Sequence, residues 1–475
     1  MARTRARRKR VSVISRAPFT IDEILTATSG KLVAGKKNVT CVGVSTDSRS
    51  IRGGTVFVAL HGERFDGHSF LHQAEELGAS ALIVDDTKNL PENIACIEVP
   101  NTLFALGDLA RFHRNRFDIP IIGVTGSYGK TTTRTFIRDA VHNGDFWYVH
   151  SSEDNFNNEI GVPQTLLQMH VETKFRPAAA VIEMGMRGLG QIDYLAKIAR
   201  PAIGVITNIG PQHIELLGSL ENIARAKAEL IGNLPPDGLA VLPSEGEYSE
   251  LLIEIARETG CRVVTFGTSE QADFRVSSTR TLENGNVEAQ IVSCQSSIIN
   301  FVLPLPGVHN ATNAAAALAV AHELGVDLQE AARALQSVEV PGARMRVLRA
   351  KALTILDDSY NAGPDSMRVA LETLRDFPNA KRCVAVLGAM KELGNLSEEE
   401  HSKLGVFAST VCELVVYVGE ETRAASEATT VETLWCEDAA SVAHRVLDWV
   451  QDGDVVLVKG SRSVGLELVV NALAQ

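Results

Sequence analysis

The sequence predicts an α/β protein of three domains: a small mixed α/β N-terminal domain, a central parallel sheet of the P-loop ATPase type, and a C-terminal Rossmann-like α/β domain. Three observations carry this prediction. The chain is 475 residues long, which points to about two to four domains. Apolar, β-branched runs alternate with helical patterns from residue 102 onward, the pattern of parallel sheets covered by helices on both faces. One such run, Ile121-Ile122-Gly123-Val124-Thr125, passes through a glycine-punctuated turn into residues with helical spacing, Phe136, Ile137, Ala140 and Val141. The predicted boundaries are 1–17 for a basic disordered tail, then 18–101, 102–338 and 339–475 for the three domains.

Composition narrows the function classes. Apolar content of 45% and charged content of 22% are those of an ordinary globular protein. A net charge of −12 argues against a general nucleic-acid binder. The start is a local exception, with Arg3, Arg5, Arg7, Arg8, Lys9 and Arg10. No long apolar run follows it, so it does not read as a secretory signal. A disordered tail is the expectation, with an organelle transit peptide or a nucleic-acid arm as alternatives. No stretch approaches the roughly 20 apolar residues of a membrane span. The seven cysteines are scattered, without a CxxC pair, which fits reduced thiols and a cytoplasmic location.

In the first domain, 55–60 and 81–84 read as strands and 70–77 as a helix ended by Gly78. Two polar turns stand out, Thr46-Asp47-Ser48-Arg49 and the segment 61–68, which contains Gly62, Asp66 and Gly67. Both also fit simple turn chemistry.

The central domain opens on the phosphate-loop candidate, Gly126-x-x-Gly129-Lys130-Thr131-Thr132. The longer nucleotide-loop pattern has Gly where this chain has Val124. Glycines let backbone N–H groups face an anion, and the helix N-terminus adds its positive end. Gly126, Ser127, Gly129, Lys130, Thr131 and Thr132 are therefore the candidate phosphate residues, with the Thr131 hydroxyl suited to Mg²⁺. Strands at 178–182 and 203–207 end in Glu183 and in Asn208-Ile209-Gly210-Pro211-Gln212-His213. In parallel sheets ligands bind beyond the carboxyl ends of the strands, so Glu183 and His213 are candidate Mg²⁺ ligands or water-orienting groups on the edge of the phosphate loop.

In the next helix Ile223, Ala226, Lys227 and Leu230 share one face. Lys227 therefore points inward, where an unpaired ammonium is costly. Snorkelling, an ion pair with Glu183, or a CO₂ adduct acting as an anionic metal ligand would each resolve this. Residues 237–303 read as further strands. An alanine-rich helix then begins near Asn310 and Asn313, which share a face; Asn310 serves as a helix cap, or the two amides read an adenine. In the third domain, strands at 352–356, 383–387 and 454–458 end in Asp357-Asp358-Ser359-Tyr360-Asn361, in Gly388, and in Lys459-Gly460-Ser461-Arg462.

Together these residues resemble the Mur ligases, ATP-dependent amide-bond ligases of peptidoglycan precursor synthesis, over residues 18–475. The resemblance rests on the phosphate loop, Asn155-Phe156-Asn157-Asn158-Glu159-Ile160-Gly161-Val162-Pro163, Glu183-Met184-Gly185, residues 207–227, the Asp-Asp-Ser-Tyr-Asn stretch and Lys459-Gly460-Ser461-Arg462. The Asn-rich and Asp-Asp-Ser-Tyr-Asn stretches favour the member that adds D-alanyl-D-alanine to UDP-N-acetylmuramoyl-tripeptide. A sibling adding one amino acid, a folylpolyglutamate-type ligase, and a nucleotide switch without ligase activity are the rival readings.

The resemblance implies a set of roles. The first domain would hold the UDP-sugar through Ser48, Arg49, Gly62 and Asp66, with Asn155 and Asn158 also on substrate. ATP would bind the phosphate loop, Asn310, Asn313, Arg344, Asp358 and Tyr360. Lys130, Lys227, His213 and Glu183 would be catalytic. Thr131, Glu183, His213 and a carbamylated Lys227 would hold two Mg²⁺ ions. Partners would be these small molecules alone, with no nucleic acid and no membrane insertion, and the protein would be a monomer. Three departures from the family pattern are Ala389 in Gly388-Ala389-Met390 where an Asp is usual, Gly363 in Asn361-Ala362-Gly363-Pro364 where an Asn is usual, and Pro243-Ser244-Glu245-Gly246-Glu247 in place of Asn-x-Asp-Asp.

Overall fold

The computed structural model describes residues 15, 17–62, 65–142, 148–153, 156–172 and 177–475. Apart from Ser15 and Ala17, the tail expected over 1–17 lies outside the described residues, as does Asn155. Among the described residues no helix is long and apolar enough to cross a membrane.

Three sheets carry the three-domain α/β architecture. The first has the order Lys31–Ala34, Ala95–Glu98, Ala81–Val84, Thr55–Val58, Gly43–Ser45, and is parallel except for its first pair. The central sheet runs Leu239–Pro243, Ile203–Ile206, Ile121–Thr125, Ala179–Glu183, Val149–Ser151, all parallel. Beyond Leu239–Pro243 it continues into Arg262–Gly267 and an antiparallel meander, Phe274–Thr281, Val287–Val292 and Ile298–Leu303. The third sheet has five parallel strands and an antiparallel edge strand, Arg346–Ala350.

Alternation along each central strand divides the apolar residues between two cores. Ile122, Val124, Val181 and Val205 pack with Phe136, Ile137 and the alanine-rich helix His309–Glu323. Ile121, Ala180 and Ile182 pack on the other face with Ile223, Ala226 and Leu230. Because Phe136 is fully buried in the first of these cores, Phe136→Ala should cost about 3–5 kcal/mol, read as a lowered denaturation midpoint without change in the denaturant slope.

The sequence reading of 237–303 as strands needs one correction. Ser249–Thr259 is a helix. Leu239–Pro243 and Arg262–Gly267 pair in parallel, and a parallel pair needs a crossover that only a connection of this length provides. Leu252 and Ala256, four apart, bury its inner face, and Gly260 at φ 81° ends it. The Glu, Leu, Ala and Arg content of the segment favours a helix as well, so local propensity and topology agree.

Candidate active site

The carboxyl ends of the five parallel central strands lie along one edge, and the phosphate-loop candidate occupies its middle. Gly126 has φ 146°, and a Cβ there would stand 1.9 Å from the Thr207 hydroxyl. The loop is tied to the adjacent strand end: Thr207 Oγ1 donates to the Tyr128 carbonyl at 2.6 Å, and Tyr128 N donates to Asn208 Oδ1 at 3.0 Å. Ser127 Oγ and the Gly210 backbone exchange bonds of 2.8 and 2.9 Å. Asn208 thus supports the loop. Gly129 at φ 77° opens the helix Lys130–Val141, and the left-handed turn aims the helix's first N–H groups into the space above the loop.

Lys130 Nζ donates to the carbonyls of Gly126 and Ser127 at 2.7 and 3.0 Å. Burial pushes its pKa below the ordinary lysine value, and Glu183 pulls the other way. Glu183 itself is buried. Its carboxylate accepts from Thr131 Oγ1 at 2.8 Å and from Asn157 Nδ2 at 3.0 Å, with Arg134 Nη1 3.9 Å away.

Lys227 reaches the same edge from the helix Leu220–Gly232, whose start is capped by Ser219 accepting from Asn222 N at 3.1 Å. Gly123 and Gly204 sit opposite each other on neighbouring strands. A Cβ on either would meet Leu230, at 2.8 and 3.2 Å. The missing side chains seat this helix against the sheet and deliver Lys227, 2% exposed, into the cavity beside the loop. No hydrogen bond or ion pair to its amine is found among the described residues. Burial, and then the charge of Lys130, push its pKa well below the usual value. The Glu183 ion pair considered from the sequence is not formed; Glu183 is engaged by Thr131 and Asn157.

The opposite wall of this cavity, about 710 Å³, comes from the third domain through Arg344, Asp358, Tyr360, Asn361, Lys459 and Arg462. Arg344 lies over the Tyr360 ring at 3.9 Å. Asp358 accepts from Lys459 Nζ at 2.6 Å and from Met345 N at 3.0 Å. These two side chains meet because Asp358 and Lys459 are direct partners on adjacent parallel strands. His213, which also lines the cavity, bonds through Nδ1 to Glu392 of the third domain.

Comparison with known proteins gives three family models in order along the chain: the Mur ligase family catalytic domain over 40–114, the Mur ligase middle domain over 124–321, and the Mur ligase glutamate ligase domain over 343–462. A UDP-N-acetylmuramoyl-tripeptide–D-alanyl-D-alanine ligase of Synechocystis sp. is 42% identical over 440 residues, 90% of this chain and 91% of the relative. The chain belongs to the Mur ligase family. A crystal structure of MurF from Acinetobacter baumannii superposes with a TM-score of 0.88 at 30% identity, covering 96% of this chain and 99% of that one. The Thermotoga maritima MurF ligase in complex with ADP gives 0.82 at 30% identity, covering 91% and 96%.

Within this Mur ligase, the cavity gathers Gly126, Ser127, Gly129, Lys130, Thr131, Thr132, Glu183, His213, Lys227, Asn310, Asn313, Arg344, Asp358, Tyr360 and Asn158. Several of these also have structural duties. Asn158 Oδ1 accepts from Gly161 N at 2.9 Å at the start of the helix Gly161–Leu167. Asn310 Nδ2 donates to Pro306 O, Asn313 Nδ2 donates to Asn310 Oδ1, and Asn313 Oδ1 accepts from Thr133 Oγ1. This chain of amides fastens the alanine-rich helix to the phosphate-loop helix. Ser48, Arg49, Gly62 and Asp66 do not line the cavity. They stay in the first domain, where Arg49 pairs with Asp47 at 2.7 Å and Asp66 caps the turn Gly67–Phe70 through His68 N.

The sequence reading did not single out Asn157, His309, Lys459 or Glu392 for the site. Lys459 was recoverable, since it ends a strand beside the one ending in Asp358. Burial pushes His309 down to about 4, so it faces the cavity as a neutral ring. Of the three departures, Ala389 is buried behind the third-domain strand ends. Gly363 starts the helix Pro364–Arg375 in extended backbone. Glu245 accepts from Thr268 N at 2.7 Å and Ser269 N at 3.1 Å, bracing a turn outside the cavity lining.

Proposed function

We propose that this chain is an ADP-forming ligase that joins D-alanyl-D-alanine to UDP-N-acetylmuramoyl-tripeptide in the cytoplasm, as a monomer, giving the UDP-linked pentapeptide precursor of peptidoglycan. One observation carries the reading. A single cavity faces phosphate-loop groups on one wall with cationic and aromatic third-domain groups on the other, in a chain whose relatives bear this ligase name. The buried, unpaired Cys41, Cys96, Cys261 and Cys412 suit a reducing compartment.

The chemical problem is charge. A peptide carboxylate must attack the γ-phosphorus of ATP, and both are anionic. The loop N–H groups and Lys130 hold the phosphates. Asn310 and Asn313 contact the nucleotide, and Arg344, Asp358 and Tyr360 close over it from the third domain. Thr131, Glu183, His213 and carbamylated Lys227 would hold two Mg²⁺ ions, an oxygen-rich set suited to a hard dication; bound there, the ions would neutralise the charge that spreads over the transferred phosphoryl group. The carboxylate oxygen bonds to phosphorus, ADP leaves, and the acyl phosphate forms. The neutral amine of the dipeptide then attacks the acyl carbon, loses a proton, and expels phosphate. The third-domain wall keeps water from the acyl phosphate.

Lys227 fits a carbamate for a specific reason. Its low pKa keeps a fraction of the amine as free base, which attacks the carbon of CO₂ and releases one proton. The product replaces an unpartnered buried ammonium near Lys130 with an anion. Ser48, Arg49, Gly62 and Asp66, with Asn155 and Asn158, hold the UDP-sugar end and its peptide.

An acceptor panel tests the assignment. ADP release with ATP and UDP-N-acetylmuramoyl-tripeptide should depend on D-alanyl-D-alanine, with D-alanine and diaminopimelate poor substitutes. Faster turnover with a single amino acid would assign the chain to a sibling activity. ATP binding without product from any acceptor would assign it to a nucleotide switch.

A further inference from the structure

The ring of His213 is held from another domain. Its Nδ1 is hydrogen-bonded to a carboxylate oxygen of Glu392. The second oxygen of Glu392 is 3.2 Å from Arg187 Nη2 of the middle domain. Glu215 N, two residues beyond His213, donates to the Glu392 carbonyl at 3.4 Å. Gly394 then packs against Glu215, where an added Cβ would stand 3.0 Å from Cγ. The third domain therefore touches the middle domain with both the side chain and the backbone of one residue.

The backbone at this contact is unusual. His213 and Glu392 are both non-glycine residues at φ 62°, in the left-handed region. Such residues are uncommon, and strained backbone persists where surrounding structure enforces it, often at functional sites. Here two of them meet across a domain boundary and bond to each other.

A carboxylate only accepts hydrogen bonds, so the proton of this bond sits on His213 Nδ1. In the neutral ring, Nε2 then carries the lone pair. His213 lines the cavity, and a lone pair there is what a metal ligand must offer. Carboxylates that fix an imidazole in this way raise ligand basicity and hold ring orientation.

We propose that Glu392 is a positioning residue that sets the Nδ1–H tautomer and orientation of His213, making it a metal ligand only when the third domain stands against the middle domain. This rests on the metal role given to His213 above. It couples metal loading to domain apposition: an open enzyme would hold its divalent ion weakly, and closure would tighten it. The acceptor-bearing domain would thereby signal its presence to the phosphoryl-transfer site through one hydrogen bond.

The test is Mn²⁺ affinity, followed by electron paramagnetic resonance on the full chain with a non-hydrolysable ATP analogue. Glu392→Ala should weaken the tightest-responding Mn²⁺ site about 10- to 100-fold. Glu392→Gln should retain most of the affinity, because its amide oxygen still accepts from Nδ1; it also serves if the alanine variant folds poorly. His213→Ala should lose the same site, and the double variant should lose no more than His213→Ala alone. In turnover, Glu392→Ala should need more Mg²⁺ for half-maximal rate and recover rate at high Mg²⁺, with KM for the UDP-tripeptide unchanged. Wild-type Mn²⁺ affinity in folded Glu392→Ala, with the loss intact in His213→Ala, would overturn the positioning role and leave the metal reading standing. Unchanged affinity in His213→Ala would overturn the metal role of His213 and this inference with it.

Discussion

Lys130→Ala abolishes ADP release and leaves the fold intact. Removing one preorganised charge-stabilising donor costs other enzymes about 10²–10³ in rate, and here a full positive charge facing transferred phosphate is lost, so the expected effect is at least of that order. The fold should survive because, among the described residues, Lys130 bonds only to the Gly126 and Ser127 carbonyls of its own loop. Those carbonyls face the cavity, where water replaces the lysine. The loop's shape is held instead by Thr207, Asn208 and Gly210. The check pairs steady-state ADP release with a thermal melt in the absence of nucleotide. Near-normal turnover in a variant that melts like the parent would remove Lys130 from the phosphate site.

Lys227→Ala loses most of the activity, and acetate restores part of it. The lysine arrives on a helix seated by Gly123 and Gly204 under Leu230, so truncating its side chain leaves the helix in place and opens a pocket beside the metal ligands. A small carboxylate entering that pocket supplies the anionic oxygens that a carbamate would have carried. Depleting bicarbonate should slow the parent enzyme and leave the acetate-rescued variant unaffected, which separates a carbamate from a lysine acting as a cation. Full activity of Lys227→Ala without added acid would return Lys227 to an ordinary buried lysine.

Much of this site was legible in the sequence because parallel α/β sheets collect strand ends on one edge. Glu183, the 126–132 loop and His213 each follow a β-branched run, and helical spacing alone turned Lys227 inward. The contacts that organise the site were not legible. Glu392 meets His213 across 179 positions of sequence, through two left-handed residues that no periodicity marks. Asn157 was hidden among similar neighbours, Asn155 and Asn158, and only packing shows that its amide reaches Glu183. The role of Asn310 and Asn313 in joining two helices likewise depends on where the antiparallel meander places the alanine-rich helix. The helix Ser249–Thr259 was legible and was overlooked: Leu252 and Ala256 stand four apart among Glu, Leu, Ala and Arg, and the parallel pairing of the flanking strands demands a crossover.

The central claim is that the peptide carboxylate is activated by phosphorylation before the amide bond forms. Isotope transfer tests this most directly. UDP-N-acetylmuramoyl-tripeptide labelled with ¹⁸O in both oxygens of its terminal carboxylate would be turned over with ATP and D-alanyl-D-alanine, and the released phosphate and product analysed by mass spectrometry. One ¹⁸O should appear in each phosphate and one should remain in the new amide carbonyl. Phosphate free of label, formed in step with ADP, would mean that ATP is hydrolysed without activating the carboxylate, and would contradict the account.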